Sequence, residues 1–509
     1  MKIDFRKYYF SRLDFFIFFC YHIILYKIAK AAITNNYGGN EMKLKKLTAI
    51  MLASALLLGI TACGESSAGG EETTTSAPAN DGTGTENNEG ENTENNGGSS
   101  KTPEDIGIIS DNETPPTVGN NNDFSYADGV EDSAYTLGGA LTDRMVALSE
   151  LNLGNQVRLA GAMKKAAAGE EITVAYIGGS ITQGSSAGDD GCYARLVTNW
   201  FQDTYPDAKI NYLRAGIGAT GSYIGVHRVQ SDVLDSNPDI VFVEFSVNDT
   251  TENTMRNVNS YDSLLRKIWN SGSSPAVVCI GMTQDNGTSF QNYHYAIAKS
   301  YDLPFISYRN AILEVIDKGY IKWTDISDDN IHPNTQGHKV LTDIVTHYLA
   351  SVNENKDNIS GDESDFSMPF TKDKFANATL LTPSNFEAAD PSGKIVASDK
   401  NFGNFIGNWT ARGSKIFDGE NTCLIFENVE AKNIGLLFGK VTGGGTVLDV
   451  YVDDVLVDSI DARFPGGWGN YAEAAEIAAF AETGTHTVKI VPQNIEGASI
   501  IYVSGLMIS

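Results

Sequence analysis

Ile172-Thr173-Val174-Ala175-Tyr176-Ile177-Gly178-Gly179-Ser180 is the stretch that decides the fold. Six uncharged residues, mostly β-branched or aromatic, meet two glycines, and a helix-like segment with Leu196, Val197, Trp200 and Phe201 follows before Pro206. That is a strand, a tight turn and an amphipathic helix. The cycle repeats, with strands expected near 210–213, 240–245, 276–282 and 305–308. Tyr261, Leu264, Leu265, Ile268 and Trp269 mark a helix by their i, i+3, i+4, i+7, i+8 spacing, and Val340, Leu341, Ile344, Val345 and Tyr348 mark a last one. Near-continuous apolar strands separated by helices predict an α/β domain whose parallel sheet is covered on both faces. Sites in such sheets form at the carboxyl ends of the strands.

Four loops at those ends carry polar residues with chemical uses. Gly178-Gly179-Ser180-Ile181-Thr182 follows the first strand, where glycines let backbone N–H groups approach a ligand. Arg214-Ala215-Gly216-Ile217-Gly218-Ala219-Thr220-Gly221-Ser222 follows the second, and Phe245-Ser246-Val247-Asn248-Asp249 the third. Asp329-Asn330-Ile331-His332-Pro333 precedes the last helix. Asp and His three apart meet if the loop turns back, and the carboxylate then fixes the imidazole tautomer so that the other ring nitrogen takes a proton. Taken singly, each block has a plainer reading: a strand-to-helix turn, a helix cap at Asn248, a solvated histidine. His338 is expected to pack or cap, Asp249 to support its loop, and Cys192 to be a small buried residue; His227 and Arg228 fall on a helix after the second block, and Arg228 is a candidate to line the site. A metal centre lacks the further His or carboxylate ligands it needs.

Taken in order, the four blocks resemble the SGNH, or GDSL-type, hydrolase family over about residues 171–351. The resemblance implies a flavodoxin-like three-layer α/β/α domain with a parallel sheet and a serine ester hydrolase with no cofactor. It implies Ser180 as nucleophile, His332 as general base and acid, and Asp329 as its orienting carboxylate. The oxyanion hole would comprise the Ser180 N–H, a backbone N–H from Gly218 or Ala219, and the Asn248 amide. Two departures stand out: the family's Gly-Asp-Ser is Gly-Gly-Ser here, and Ala219 occupies the position of the family's oxyanion glycine.

Beyond a polar hinge near 353–365 the pattern changes to short β runs at 422–426, 435–440, 447–452, 455–460, 485–492 and 499–508. Val447 to Val452, then Asp453-Asp454, then Val455-Leu456-Val457 reads as strand, tight turn, strand. Many short strands without helices predict an all-β sandwich of jelly-roll type, and the region resembles modules attached to bacterial carbohydrate esterases. Trp409, Trp468 and Tyr471 sit in Gly-rich surroundings and are candidates to stack on sugar rings or to serve as core aromatics.

At the other end, Lys43, Lys45 and Lys46 precede an apolar run from Leu47 to Ile60 and then Ile60-Thr61-Ala62-Cys63. The order is that of a secretory signal, and the last four residues resemble a bacterial lipobox whose acylated Cys63 anchors an exported protein to the membrane; a plain signal peptide is the alternative. Translation is expected to begin at Met42, with residues 1–41 outside the product, because a signal peptide works only at an N-terminus; the aromatic run from Phe15 to Tyr26 is shorter than the ~20 residues of a spanning helix and is not read as one. Residues 63–125 are Gly, Ser, Thr, Asn and Glu with few large apolar side chains, and so are expected to form a disordered tether with a reach of about 45 Å. Sixteen carboxylates against one lysine lie between Glu65 and Asp132.

With 509 residues, two or three domains are expected at about 150 residues each: a catalytic body over 135–355 and the sandwich over 366–509. A formal charge of −27 argues against nucleic-acid partners. The five scattered cysteines form no disulfide or zinc pattern. An exported enzyme with a β module, and without an amphipathic lid insert, is expected to act on an acylated extracellular polysaccharide, removing short acyl groups such as acetyl. A cell-wall O-acetylesterase, a lipase or lysophospholipase of the same fold, and a non-catalytic glycan-binding surface protein are the alternatives.

Overall fold

The computed structural model describes residues 101–110, 113–120, 124–418 and 421–509. The signal segment, Cys63 and the first part of the tether lie outside the described residues.

Six strands form the first sheet: β1 (Glu150–Asn152), β2 (Ile172–Gly178), β3 (Ile210–Gly216), β4 (Ile240–Glu244), β5 (Ala276–Gly281) and β6 (Phe305–Ser307), in the spatial order β1-β6-β5-β4-β2-β3. Strands β2 to β6 are parallel, as their apolar runs predict, and the short edge strand β1, which the sequence did not reveal, pairs antiparallel with β6. Alternate residues point to opposite faces. Val174, Tyr176, Phe242 and Val278 join one core, under helices Tyr193–Thr204 and Thr335–Asn355, while Ala175, Ile177, Val241 and Val277 join the other, under helices Ser222–Asp232, Thr254–Trp269 and Gln291–Ser300. The three-layer α/β/α architecture follows from that division.

The second sheet is all antiparallel: β7 (Thr379–Leu381), β8 (Val396–Ser398), β9 (Asn408–Arg412), β10 (Leu424–Lys440), β11 (Val447–Val452), β12 (Val455–Asp461), β13 (Tyr471–Pro492) and β14 (Ile500–Ile508), ordered β12-β11-β13-β10-β14-β9-β8 with β7 also beside β14. The expected runs 422–426 and 435–440 are the two ends of β10, and the run 485–492 is the end of β13. These two long strands pair throughout, with register shifts between Phe426 and Val429 and between Ala431 and Asn433. Such bulges bend a strand, so β10 and β13 serve both halves of a sandwich whose shared core holds Phe426, Val450 and Ile490 from one half and Leu436, Phe438 and Val503 from the other. The tight turn at Asp453-Asp454 is present, both residues at positive φ (49° and 64°), the conformation a two-residue hairpin demands.

The outer face of β10, β13 and β14 is covered. Leu437, Ala472, Ala474 and Met507 join the core beneath helices Ser222–Asp232 and Thr254–Trp269. The hinge also packs: Phe366 stacks between Trp269 and Tyr301, at 4.8 and 4.1 Å between ring centres, and Phe375 is buried beside Tyr223. Nor does the tether run to residue 125 without structure. Ile106 and Ile108, apolar residues within the polar tract, pack against the sandwich core, and Ile108 bridges to Phe480.

Candidate active site

The end of β2 is shaped by close approach. A Cβ at Gly178 would collide with the Thr182 side chain and the Glu244 carbonyl, and one at Gly179 with the Asn248 amide. Ser180 then opens a short helix, Ser180–Gln183, with 7% of its surface exposed. Its Oγ lies 2.9 Å from His332 Nε2.

His332 is placed by its own loop. Asp329 Oδ1 accepts the N–H groups of Ile331 and His332, at 2.7 and 2.6 Å, and Oδ2 lies 2.7 Å from His332 Nδ1. That carboxylate keeps the ring proton on Nδ1 and leaves the Nε2 lone pair facing the Ser180 hydroxyl. Burial raises the Asp329 carboxyl, but the hydrogen bonds from the His332 ring and the two N–H groups outweigh it and hold the carboxyl below the usual carboxylate range. Two residues not anticipated from sequence brace the turn: Trp323 Nε1 donates to the Asp329 carbonyl (2.6 Å) and Ser327 Oγ to the His332 carbonyl (2.6 Å).

Around Ser180 the donors fall into two groups. The Gly218 N–H is occupied, donating to Gln183 Oε1 at 2.8 Å. Its neighbour Ala219 stands at φ 61°, a left-handed conformation that strains a residue with a Cβ by about 1 kcal/mol. Among the described residues no protein acceptor takes the Ala219 N–H or the Asn248 Nδ2. The Ser180 N–H, first in its helix, has no intrahelical acceptor. Asn248 Oδ1 is buried against the Gly179 backbone with no hydrogen-bond partner. Three free N–H donors thus belong to loops that meet beside one serine hydroxyl.

Beneath the loop lie groups that never reach solvent. Arg228 does not line the site: it is buried, donating to the Gly178 carbonyl (3.0 Å) and to Asp232 (2.9 Å). Glu244, at the carboxyl end of β4, is fully buried, and burial, with the neighbouring Asp249 carboxylate, outweighs the hydrogen bonds from Ser246 and Thr182 and pushes it up to about 8. His338 accepts the Tyr193 N–H at 3.2 Å, and burial lowers it to about 4; His227 is buried with Nδ1 on the Tyr223 carbonyl, and Cys192 is fully buried. In the sandwich, Trp409 is 3% exposed with its edge against Phe426, a core position that offers no face to a sugar. Trp468 is 65% exposed and stacks on Tyr471 at 4.7 Å, with Phe464 edge-on to both.

The family described as GDSL-like Lipase/Acylhydrolase matches residues 176–340. Among solved structures, that of a two-domain esterase (CEX) active on acetylated mannans is similar at 30% identity, with the match covering 70% of this chain and 96% of that one and a TM-score of 0.64. The same esterase co-crystallised with mannopentaose matches at 30% identity over the same shares, with a TM-score of 0.63. No curated protein sequence matches. A serine beside an Asp-oriented histidine, the sheet that presents them, and a similarity running through both domains lead to one conclusion: the chain belongs to the SGNH, or GDSL-type, hydrolase and carbohydrate esterase family, with a C-terminal β-sandwich.

Proposed function

We propose that this chain is an exported serine esterase that removes acetyl groups from polysaccharide, with acetylated mannan as the foremost substrate. The observation that carries the reading is the 2.9 Å approach of His332 Nε2 to Ser180 Oγ beside three unoccupied N–H donors. Ser180 Oγ attacks the acetyl carbonyl carbon while its proton passes to His332 Nε2, and the carbonyl oxygen becomes an oxyanion. That oxyanion is held by the N–H of Ser180, the N–H of Ala219 and the Asn248 amide; Gly218 is set aside because its N–H already serves Gln183. Collapse of the tetrahedral species breaks the bond to the sugar oxygen, which leaves with the proton from His332. Water then attacks the acetyl-serine, gives its proton to His332, and the second collapse releases acetate and restores Ser180. Asp329 stabilises the imidazolium formed in each half.

The substrate class rests on the similar mannan esterase and on the absence of a lid insert between the sequence blocks. Trp468 and Tyr471 present the one aromatic face among the three candidates that a sugar ring could stack upon, which makes them the proposed glycan contacts. The lipobox at Ile60–Cys63 supports an anchor at Cys63 and a body facing outward, on a tether ending near Ile106; loss of radiolabelled fatty acid from Cys63→Ala in growing cells would support it, and unchanged labelling would oppose it. The substrate test is acetate release from acetylated mannan and acetylated xylan alongside hydrolysis of long-chain esters, with wild type and Ser180→Ala. Acetate from mannan, abolished by the substitution, is expected; cleavage of long-chain esters alone overturns the reading.

A further inference from the structure

We infer that Asp249, locked between the Ser222 N–H and the His294 ring, is the positioning residue that holds the Asn248 amide in place; the inference rests on the oxyanion role of Asn248 proposed above. Asn248 and Asp249 both donate their N–H to the Phe245 carbonyl, at 3.0 and 2.9 Å, in one tight turn after β4. The Asp249 carboxylate reaches from this turn into the neighbouring loop. Its Oδ1 accepts the Ser222 N–H at 2.8 Å, at the start of helix Ser222–Asp232 and only three residues beyond Ala219, where the helix dipole also favours a negative charge. The approach is close enough that a Cβ at Gly221 would collide with Oδ1. Its Oδ2 lies 2.9 Å from His294 Nε2.

The His294 side is built to keep that contact. Asp249 and His294 side chains are 1% and 0% exposed. The ring stacks on Tyr261, 3.7 Å between centres and 12° from parallel, and meets Phe290 edge-on. His294 Nδ1 is buried with no partner. A proton there would be a buried donor without an acceptor, so the ring proton belongs on Nε2, directed at Asp249. Asp249 therefore ties the turn that carries Asn248 to the start of helix Ser222–Asp232, with His294 as a fixed strut. Preorganised donors act on a developing charge without having to reorient, and that is what such a joint supplies.

Asp249→Asn keeps the shape and an acceptor for Ser222 but turns an NH2 toward the His294 N–H. The expected result, on the full chain with active sites counted by fluorophosphonate titration, is a fall in kcat of about 10- to 100-fold with KM within about two-fold. Because Asp249 acts through Asn248, the double variant Asn248→Ala/Asp249→Asn should lie within about three-fold of Asn248→Ala alone. Wild-type kcat in Asp249→Asn, or single effects that multiply in the double variant, would overturn the inference. If Asp249→Asn folds too poorly to titrate, the comparison moves to His294→Gln, which retains a donor, and His294→Phe, which retains only the stack. Gln should hold kcat within about three-fold while Phe loses about ten-fold or more, and equal values would overturn the inference. Wild-type kcat in Asn248→Ala strikes instead at the oxyanion assignment itself.

Discussion

The catalytic domain contains two Asp–His pairs of similar separation, one through Nδ1 and the other through Nε2, in opposite surroundings. Asp329 and His332 are 2.7 Å apart with side chains 45% and 25% exposed, on one loop. Asp249 and His294 are 2.9 Å apart and sealed from solvent, on separate elements 45 residues apart. In the first pair the second ring nitrogen faces the Ser180 hydroxyl; in the second it faces nothing that bonds. A histidine must exchange protons with a substrate oxygen to be a base, and that needs an open Nε2 with a reacting group before it. Sealed and without such a group, the same pair of residues is left with geometry alone to contribute. The contrast says that the third partner, more than the pair itself, separates chemistry from architecture.

The sharpest way to break that comparison is His332→Ala, expected to lower kcat by about 10⁴-fold with folding intact, measured as acetate release against the thermal midpoint. If His294→Phe had the same effect, the distinction would be lost. Next comes Asn248→Ala, with a fall of about 10²- to 10³-fold in kcat and little change in KM, the usual loss on removing one oxyanion donor.

Smaller effects separate the two environments by pH. The buried Glu244 carboxyl is raised to about 8, so between its unfolded value near 4.3 and pH 8 the native state keeps a proton that the unfolded chain gives up. Its contribution to stability is therefore present at acid pH and declines as pH rises through that window. Glu244→Gln should raise the thermal midpoint at pH 8 relative to pH 5 compared with wild type, and an unchanged difference would contradict the assignment. Asp329 works in the other direction. Its lowered carboxyl contributes stability above the unfolded value near 3.9 that disappears as pH falls through the folded one. Asp329→Asn should therefore flatten the acid limb of the stability profile, by less than 1 kcal/mol because the side chain is half exposed.

The exposed pair was legible in the sequence and the buried one was not, for a physical reason. Asp329 and His332 are three residues apart, and their contact is a local turn that spacing alone suggests. His294 looks like any histidine on an amphipathic helix, and only the fold's placement of the start of helix Gln291–Ser300 beside the turn that follows β4 brings it to Asp249. The same division holds for the fold. Strands β2 to β6 announced themselves as apolar runs, whereas β1 has three half-buried residues and no such signal. Ala472 to Glu482 is made of residues that favour helices, yet forms part of β13, because its alanines let the strand lie against the catalytic domain while its alternate residues face the sandwich or solvent. The proposed preference for Ala219 over Gly218 likewise has no signal in the sequence and rests on the Gly218 N–H being occupied by Gln183.

The claim on which the rest depends is that Ser180 is a nucleophile activated by His332, and intact mass spectrometry after reaction with a fluorophosphonate tests it most directly. Wild type should gain a single adduct, mapped by peptide digestion to Ser180, and His332→Ala should gain almost none in the same time. An adduct on another residue, or labelling of Ser180 at the wild-type rate without His332, would contradict it.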